Sequence, residues 1–485
     1  MKRFIYILLL SVVFLLNGAG VNPSFEKKQD PPNILVFIAD DASPDMGCYG
    51  NSVVKTPSID SLARAGLRFA NAFLTSSQCS PSRTSMMTGQ FSHTIGTEDL
   101  HHTEMSDTLL TLPGELQKAG YYTGVMLKTH FGDHVMKDFD YFDDGFWPDY
   151  VKGRWFDKAL GNFNQFLDKK GDQPFFMWVG FVDPHRPYGA NEKAEGNRAP
   201  QVHNPDDIQV PPYLIDDQRT RVDIARYYDE IHRMDKQIGQ FCQTIKDRGL
   251  AENTIVIFLS DNGYPFPKGK ATVYDAGIRT PMVFTWPEKI KANTVHDNGL
   301  ISAIDLMPTL LEIAGKQSPA ELPGKSFKYL LHNPEERGHD MIFAERNWHV
   351  TDEHIRTVRT EKYKLIRTAY TDKMLGHVDA GLSWWSLLEA YQKNKLTPAQ
   401  SIIFQTPRPG IELYDVENDP YEIINLAMQE GYTDTIKSLL KKLEAWQEIS
   451  GDHAPDVRQI PDNLDRLTAQ PLYINRRMDY VSDTL

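Results

Sequence analysis

A chain of 485 residues with 41% apolar, 24% charged and 11% aromatic residues has enough apolar material for a sizeable core, which excludes a mini-protein and a disordered chain. Its 52 Lys and Arg against 65 Asp and Glu leave a net charge of −13, which argues against broad phosphate neutralisation and so against nucleic acid as a partner. Three cysteines, Cys48, Cys79 and Cys242, are too few for the disulfide framework of an exported protein this large.

Met1-Lys2-Arg3, the apolar or hydroxylic run Phe4 to Leu16 and the small residues up to Gly20 read as a signal peptide over residues 1–20. The run is shorter than the roughly 20 residues a membrane span needs. The expectation is therefore a cleaved leader, a periplasmic or secreted protein, and no stable membrane insertion. Loss of Lys2 and Arg3 with the leader moves the charge from −13 to −15. Residues 21–32 are polar and Pro-punctuated, a linker.

Asn33 to Ala39 (NILVFIA) is a continuous apolar run, as for a strand buried on both faces, and it stops at Asp40-Asp41. Pro57 opens a helix with Ile59, Leu62, Ala63 and Leu67 at helical spacing. The strand pattern recurs at Tyr121 to Leu127, ending at Lys128, at Pro174 to Val182, ending at Asp183-Pro184-His185, and at Thr254 to Leu259, ending at Ser260-Asp261-Asn262. Helices are expected over Val222 to Arg248 and Ile304 to Ile313. Strands alternating with helices predict an α/β fold with a mostly parallel central sheet, whose ligands bind outside the carboxyl ends of the strands. From Met341 the character changes, with β-like stretches at Met341 to Ala344 and Tyr363 to Arg367, a loop-like middle and a helix over Tyr432 to Ile449. This predicts a domain over 33–335 and a smaller α+β domain over 336–485.

Cys79-Ser80-Pro81-Ser82-Arg83, trailed by Thr88-Gly89, resembles the signature of the formylglycine-dependent sulfatases. Asn33 to Asp41 resembles the family's opening strand and aspartate pair, and Leu413-Tyr414-Asp415 through Asp419-Pro420 to Asn425-Leu426-Ala427 resembles its C-terminal landmark. The resemblance implies an alkaline-phosphatase-like α/β sandwich, with an antiparallel sheet in the smaller domain. It also implies that a formylglycine-generating or sulfatase-maturing enzyme converts Cys79 to Cα-formylglycine. The hydrate of that aldehyde has one oxygen to attack sulfur and a second whose deprotonation expels sulfate, which serine or a thiol cannot do. The family positions matching Asp40, Asp41, Asp261 and Asn262 hold one divalent ion together with residue 79. All-oxygen donors favour Ca²⁺, with Mg²⁺ second. By the same resemblance Lys128 and Lys270 bind sulfate oxygen, His130 holds the diol and takes its proton, His185 protonates the leaving group, and Arg83 secures the formylglycine.

Ser260 to Lys270 and Asp183 to Arg186 resemble heparan N-sulfatases (sulfamidases) more closely than generic arylsulfatases, with one departure: those enzymes carry Arg where this chain has Lys270. His101, His102, Arg346, His349 and Arg356 are candidates for reading a sugar. The substrates implied are sulfated oligosaccharides from heparan-type glycosaminoglycan, ulvan or carrageenan, and a basic pocket on an acidic protein suits short ones. A phosphodiesterase of the same superfamily is the competing reading, and it requires a second cluster of Asp and His ligands that the sequence does not supply. A non-catalytic sugar-binding relative is expected to have lost Cys79 or its ligands, and neither is lost.

Overall fold

The computed structural model describes residues 31–97, 105–106, 108–131, 133–143, 155–188, 199–348, 352–372, 374–375 and 381–455. In chain order the strands are β1 (Asn33–Ala39), β2 (Leu67–Phe73), β3 (Tyr122–Leu127), β4 (Tyr141–Phe142), β5 (Phe175–Gly180), β6 (Thr254–Ser260), β7 (Arg279–Thr285), β8 (Thr294–His296), β9 (Ile301–Ser302), β10 (Met341–Trp348), β11 (Asp352–Thr360), β12 (Tyr363–Thr368) and β13 (Ile411–Asp415). The helices that matter here are α1 (Pro57–Ala65), α2 (Cys79–Thr88), α3 (Trp155–Lys169), α4 (Gln218–Asp247), α5 (Leu306–Ile313), α6 (Leu382–Gln392) and α7 (Thr433–Ser450).

The larger sheet runs β4-β3-β5-β1-β6-β7-β2-β8, with β9 beside β2. From β4 to β6 every pairing is parallel, and β7 is antiparallel to both β6 and β2. β1 lies between β5 and β6, with Leu35 opposite Met177 on one side and Val256 on the other. All of β1 is buried because helices cover both faces of the sheet. Leu35 and Phe37 pack with Phe163 of α3 and with Ile231 and Phe241 of α4, while Ile34, Val36 and Ile38 pack with Met86 and Met87 of α2 and Leu310 of α5. This alternation is why the run reads as uniformly apolar rather than two-sided.

The second sheet, β10-β11-β12-β13, is antiparallel throughout. Leu439, Leu443 and Trp446 of α7 cover it through Val358, Leu365 and Leu413. The architecture is thus a mostly parallel α/β sandwich followed by an antiparallel sheet with its own helix. From Pro31 onward the chain clusters as one compact unit, joined where the Glu345 amide donates to the Thr75 carbonyl at 2.8 Å and where the Tyr274 hydroxyl donates to Glu412 at 2.7 Å.

Two sequence expectations need correction. Leu67 does not extend α1; it begins β2. A Cβ on the intervening Gly66 would sit 2.0 Å from the Phe284 carbonyl oxygen, so the chain passes tightly against β7 there and pairs with it. The loop-like middle after Arg367 contains α6 and β13, and a further strand, β11, lies between the two β-like stretches. β11 carries Arg356 and Arg359 on buried ion pairs, which masks its two-sided pattern.

Candidate active site

Asp40 and Asp41 leave β1 side by side, and both are fully buried. The Asp40 amide donates to the Asp183 carbonyl after β5, and the Asp261 amide after β6 donates to the Ala39 carbonyl, each at 3.1 Å. Three adjacent parallel strands therefore deliver Asp40, Asp41, Asp183, His185, Asp261 and Asn262 to one point beyond their carboxyl ends. α2 arrives at the same point with its first residue. Cys79 Sγ lies 3.4 Å from Asp40 Oδ1, 3.5 Å from Lys128 Nζ and 3.2 Å from Asn262 Nδ2.

One helical turn after Cys79, Arg83 Nε donates to Asp261 Oδ2 at 2.5 Å and Nη1 donates to the Lys128 carbonyl at 3.0 Å. Lys128 Nζ pairs with Asp40. Lys270 Nζ pairs with Asp41 Oδ2 at 2.8 Å. His185 donates from Nδ1 to the Arg186 carbonyl, which leaves Nε2 facing Asp41 Oδ2 at 3.9 Å with the side chain 29% exposed. His130 lies two residues beyond Lys128, half-buried, with a left-handed φ of 49°. Three buried carboxylates thus meet two buried cations and the half-buried Lys128, an arrangement that tolerates burial only because each charge is paired.

Burial works to raise Asp40, but Lys128, His185, Lys270 and Arg83 outweigh it and hold this carboxyl well below the usual range. Asp41 goes the other way: burial, only partly offset by Lys270, pushes it up to about 6. Burial, reinforced by Asp40, pushes the Cys79 thiol up to about 12. As an unmodified cysteine it stays protonated and is a poor nucleophile.

The residues fit a divalent cation. Ligand atoms of Asp40, Asp41, Cys79 and Asp261 all lie within 4.8 Å of one another. Asn262 Nδ2 sits 3.0 Å from Asp41 Oδ1 and 2.9 Å from Asp261 Oδ1, while its buried Oδ1 has no hydrogen-bond partner. A half-turn of that amide would present an oxygen where Nδ2 now stands. The donor set is then carboxylate and amide oxygen plus residue 79, suited to a hard cation.

Of the sugar-reading candidates, His101, His102 and His349 lie outside the described residues. Arg346 and Arg356 are 2% and 1% exposed. Arg346 Nε stands 2.7 Å from Glu353, and Arg356 holds Asp452 through Nε at 2.7 Å and Nη2 at 2.5 Å. Both are engaged in internal ion pairs. Asp45 stands apart, accepting from Ser43 Oγ at 2.7 Å and lining a separate cleft of about 340 Å³ with Tyr213, Tyr228 and Tyr421.

The sequence reading missed three supports. Arg233 clamps Asp183 at 2.6 and 2.8 Å. Arg186 is bidentate to Asp223 at 2.7 and 2.9 Å. Glu345 receives Ser92 Oγ and the His93 ring, tying β10 to the chain after α2. Nothing local in sequence marks such partners, which lie tens to hundreds of residues away.

A mostly parallel sheet covered on both faces, with a buried carboxylate, cysteine and cation centre at its carboxyl ends, is the architecture of an alkaline-phosphatase-like hydrolase. The sulfatase family model matches residues 32–316, and the model described as N-sulphoglucosamine sulphohydrolase, C-terminal, matches residues 268–380. The chain is 30% identical to N-sulphoglucosamine sulphohydrolase of Homo sapiens over 88% of its own length and 92% of that protein. It is 29% identical to an ulvan-active sulfatase of Formosa agariphila, covering 88% of this chain and 76% of that one. A solved structure in complex with its substrate D-glucosamine-2-N,6-O-disulfate superposes with a TM-score of 0.63 at 21% identity, covering 88% of this chain and 99% of that one. The chain belongs to the sulfatase family and is a sulfuric ester hydrolase. Among the described residues no helix is long and apolar enough to cross a membrane.

Proposed function

We propose that the protein releases sulfate from short sulfated carbohydrates, using Cα-formylglycine formed from Cys79 by a maturation enzyme and one Ca²⁺ held by Asp40, Asp41, Asp261, Asn262 and residue 79. The observation that carries this reading is the convergence on Cys79 of buried carboxylates with three paired cations. A Ca²⁺ held there would polarise sulfate oxygens and offset carboxylate charge. Cα-formylglycine at position 79, as its hydrate, would offer one oxygen for attack on sulfur and a second whose deprotonation would expel sulfate.

This chain's own side chains do the rest. Lys128 and Lys270, already turned toward Asp40 and Asp41, bind the sulfate oxygens. Their two charges exceed the single charge of a sulfate ester and match the dianion that forms as sulfate leaves. His130 takes a proton from the hydrate oxygen. His185, its Nδ1 fixed on the Arg186 carbonyl, presents Nε2 to the bridging oxygen and gives it a proton as the bond to sulfur breaks. Arg83 holds Asp261 and the Lys128 backbone in place. The separate sheets support a division into 33–335 and 336–485, and the N-terminal pattern of charge, apolar run and small residues supports export to the periplasm.

Ion chromatography of sulfate released from heparin, chondroitin, ulvan and carrageenan oligosaccharides tests the reading, with the Cys79 peptide weighed to establish maturation. Release from one polymer class is expected. Silence from fully matured, Ca²⁺-loaded enzyme overturns it and favours a phosphoester. A second reading, cleavage of the N-sulfate of glucosamine, is favoured by the match of residues 268–380 to the N-sulphoglucosamine sulphohydrolase model and is tested by including N-sulfated heparin disaccharide.

A further inference from the structure

We propose that Lys268 is a positioning residue for Lys270, anchoring the strained segment 268–272 to the turn that follows β13, so that the affinity of the site for sulfate depends on a charge that never touches the substrate. The inference rests on the reading that Lys270 binds a sulfate oxygen.

Lys268 and Lys270 are two residues apart, and both are buried, but they face opposite ways. Lys270 meets Asp41. Lys268 Nζ donates to the carbonyls of Tyr421 at 2.7 Å and Glu422 at 3.0 Å and stands 3.9 Å over the Tyr274 ring, with Tyr213 and Tyr414 at 5.5 and 5.9 Å. An ammonium against tyrosine faces is held by cation–π attraction as well as by its hydrogen bonds.

The segment needs holding. Lys268 has φ 71° and Ala271 φ 62°, left-handed conformations that non-glycine residues adopt only when their surroundings impose them. The far side is fixed to the loop before Cys79: the Ala271 amide donates to the Ser77 carbonyl at 2.9 Å, and Ser77 Oγ donates to the Thr272 carbonyl at 2.5 Å. Within the segment the Lys270 amide donates to the Tyr264 carbonyl at 2.8 Å and Thr272 Oγ1 donates to the Lys268 and Gly269 carbonyls at 3.0 and 2.7 Å. The link from this segment to the turn after β13 is the Lys268 side chain, an ammonium in an aromatic cage.

The charges around that cage set when the tether holds. Glu422 and Asp419 face it from the turn, Glu412 from β13 and Lys364 from β12. Glu412 is occupied by the hydroxyls of Tyr274 and Tyr414 at 2.7 and 2.6 Å, and Glu422 by Lys364 at 2.9 Å. Burial, against the pull of Glu422 and Glu412, brings Lys268 down to about 8. The tether is thus charged at neutral pH and loses its charge as the solution becomes alkaline.

The test titrates inorganic sulfate, the reaction product, calorimetrically into the matured, Ca²⁺-loaded protein from pH 6.5 to 9.5. Lys270→Ala is expected to weaken sulfate at every pH. Lys268→Met is expected to weaken it about tenfold at pH 7, the effect of one displaced charge-assisted contact. That deficit should close above pH 9, where the native protein has lost the same charge. Lys268→Arg, which cannot lose its charge in this range, should hold its affinity to pH 9.5. Native affinity in Lys268→Met, or a deficit independent of pH, overturns the positioning role. If Lys268→Met does not fold, an alkaline decline in Lys268→Arg equal to that of the native protein overturns it. Unchanged affinity in Lys270→Ala overturns the Lys270 reading itself, an outcome distinct from the others.

Discussion

Cys79 illustrates how far one side chain departs from its ordinary chemistry. Burial and Asp40 push its thiol up to about 12, so as a free cysteine it is a poor nucleophile, which agrees with the conversion proposed above. Cys79→Ala should therefore abolish sulfate release while leaving the thermal midpoint within a few degrees of the native protein, measured by scanning calorimetry. Full activity in the alanine variant would remove the nucleophile from the scheme. Arg356 predicts the reverse pattern. Its guanidinium is bidentate to Asp452 and 1% exposed, so Arg356→Ala leaves that carboxylate without its guanidinium partner, held by only the Gln447 amide at 2.6 Å and His354 at 3.3 Å, at a cost of about 3 kcal/mol. A marked fall in the thermal midpoint is expected, with kcat retained on the protein that stays folded. These two residues also mark what sequence reveals at this scale. The Cys79 pentapeptide is contiguous and its chemistry is written in the residue types. Arg356 in a strand looks the same whether it reads a sugar or pairs with an aspartate 96 residues away.

At the scale of elements, the parallel strands were legible because burial on both faces leaves no polar position inside β1, β5 or β6, and each run stops where the polar residues that converge near Cys79 begin. β11 and β13 were not, because charged residues in them are buried in pairs that only the fold assembles, such as Arg359 with Asp275 at 3.0 Å. The joint between β5, β3 and α2 makes a sharp prediction. A Cβ on Gly180 would lie 2.0 Å from the Lys128 carbonyl oxygen and 2.7 Å from Arg83 Nη1. Gly180→Ala should thus displace Lys128 and Arg83 together and cost about a hundredfold in kcat/KM, the usual penalty for a misplacement near 1 Å, with normal activity the contrary outcome. A second element-level device lies before α5. Asp305 caps that helical segment and pairs with His339 Nε2 at 2.8 Å, and this hydrogen bond raises the imidazole above its ordinary value of 6.5. A raised folded value means that the pair stabilises fully below pH 6.5 and loses its contribution as pH climbs through the folded value. His339→Asn should accordingly lower the thermal midpoint more at pH 5.5 than at pH 8.5. A deficit of equal size at both would show that the charge contributes nothing.

At the scale of the whole molecule, charge is divided between surface and site. The chain carries −13 overall, yet around Cys79 Arg83, Lys128 and Lys270 balance Asp261, Asp40 and Asp41, and the divalent ion proposed above would leave that point net positive. A small sulfated sugar feels mainly that local field once it enters the pocket. A long polyanion must also lie against the acidic exterior, where like charges repel over about a Debye length, roughly 10 Å at 0.1 M salt. Screening should therefore act with opposite sign on the two kinds of substrate. Between 20 and 200 mM NaCl, kcat/KM for a monosulfated disaccharide should fall modestly, because the attraction of the pocket is weakened. Over the same range kcat/KM for the intact polymer of the same repeat should rise, because relief of surface repulsion outweighs that loss. The experiment needs only sulfate release measured at both chain lengths across the salt series. A parallel fall for both substrates would mean that the polymer meets a basic track along the surface, and that the enzyme works on chains rather than on their fragments.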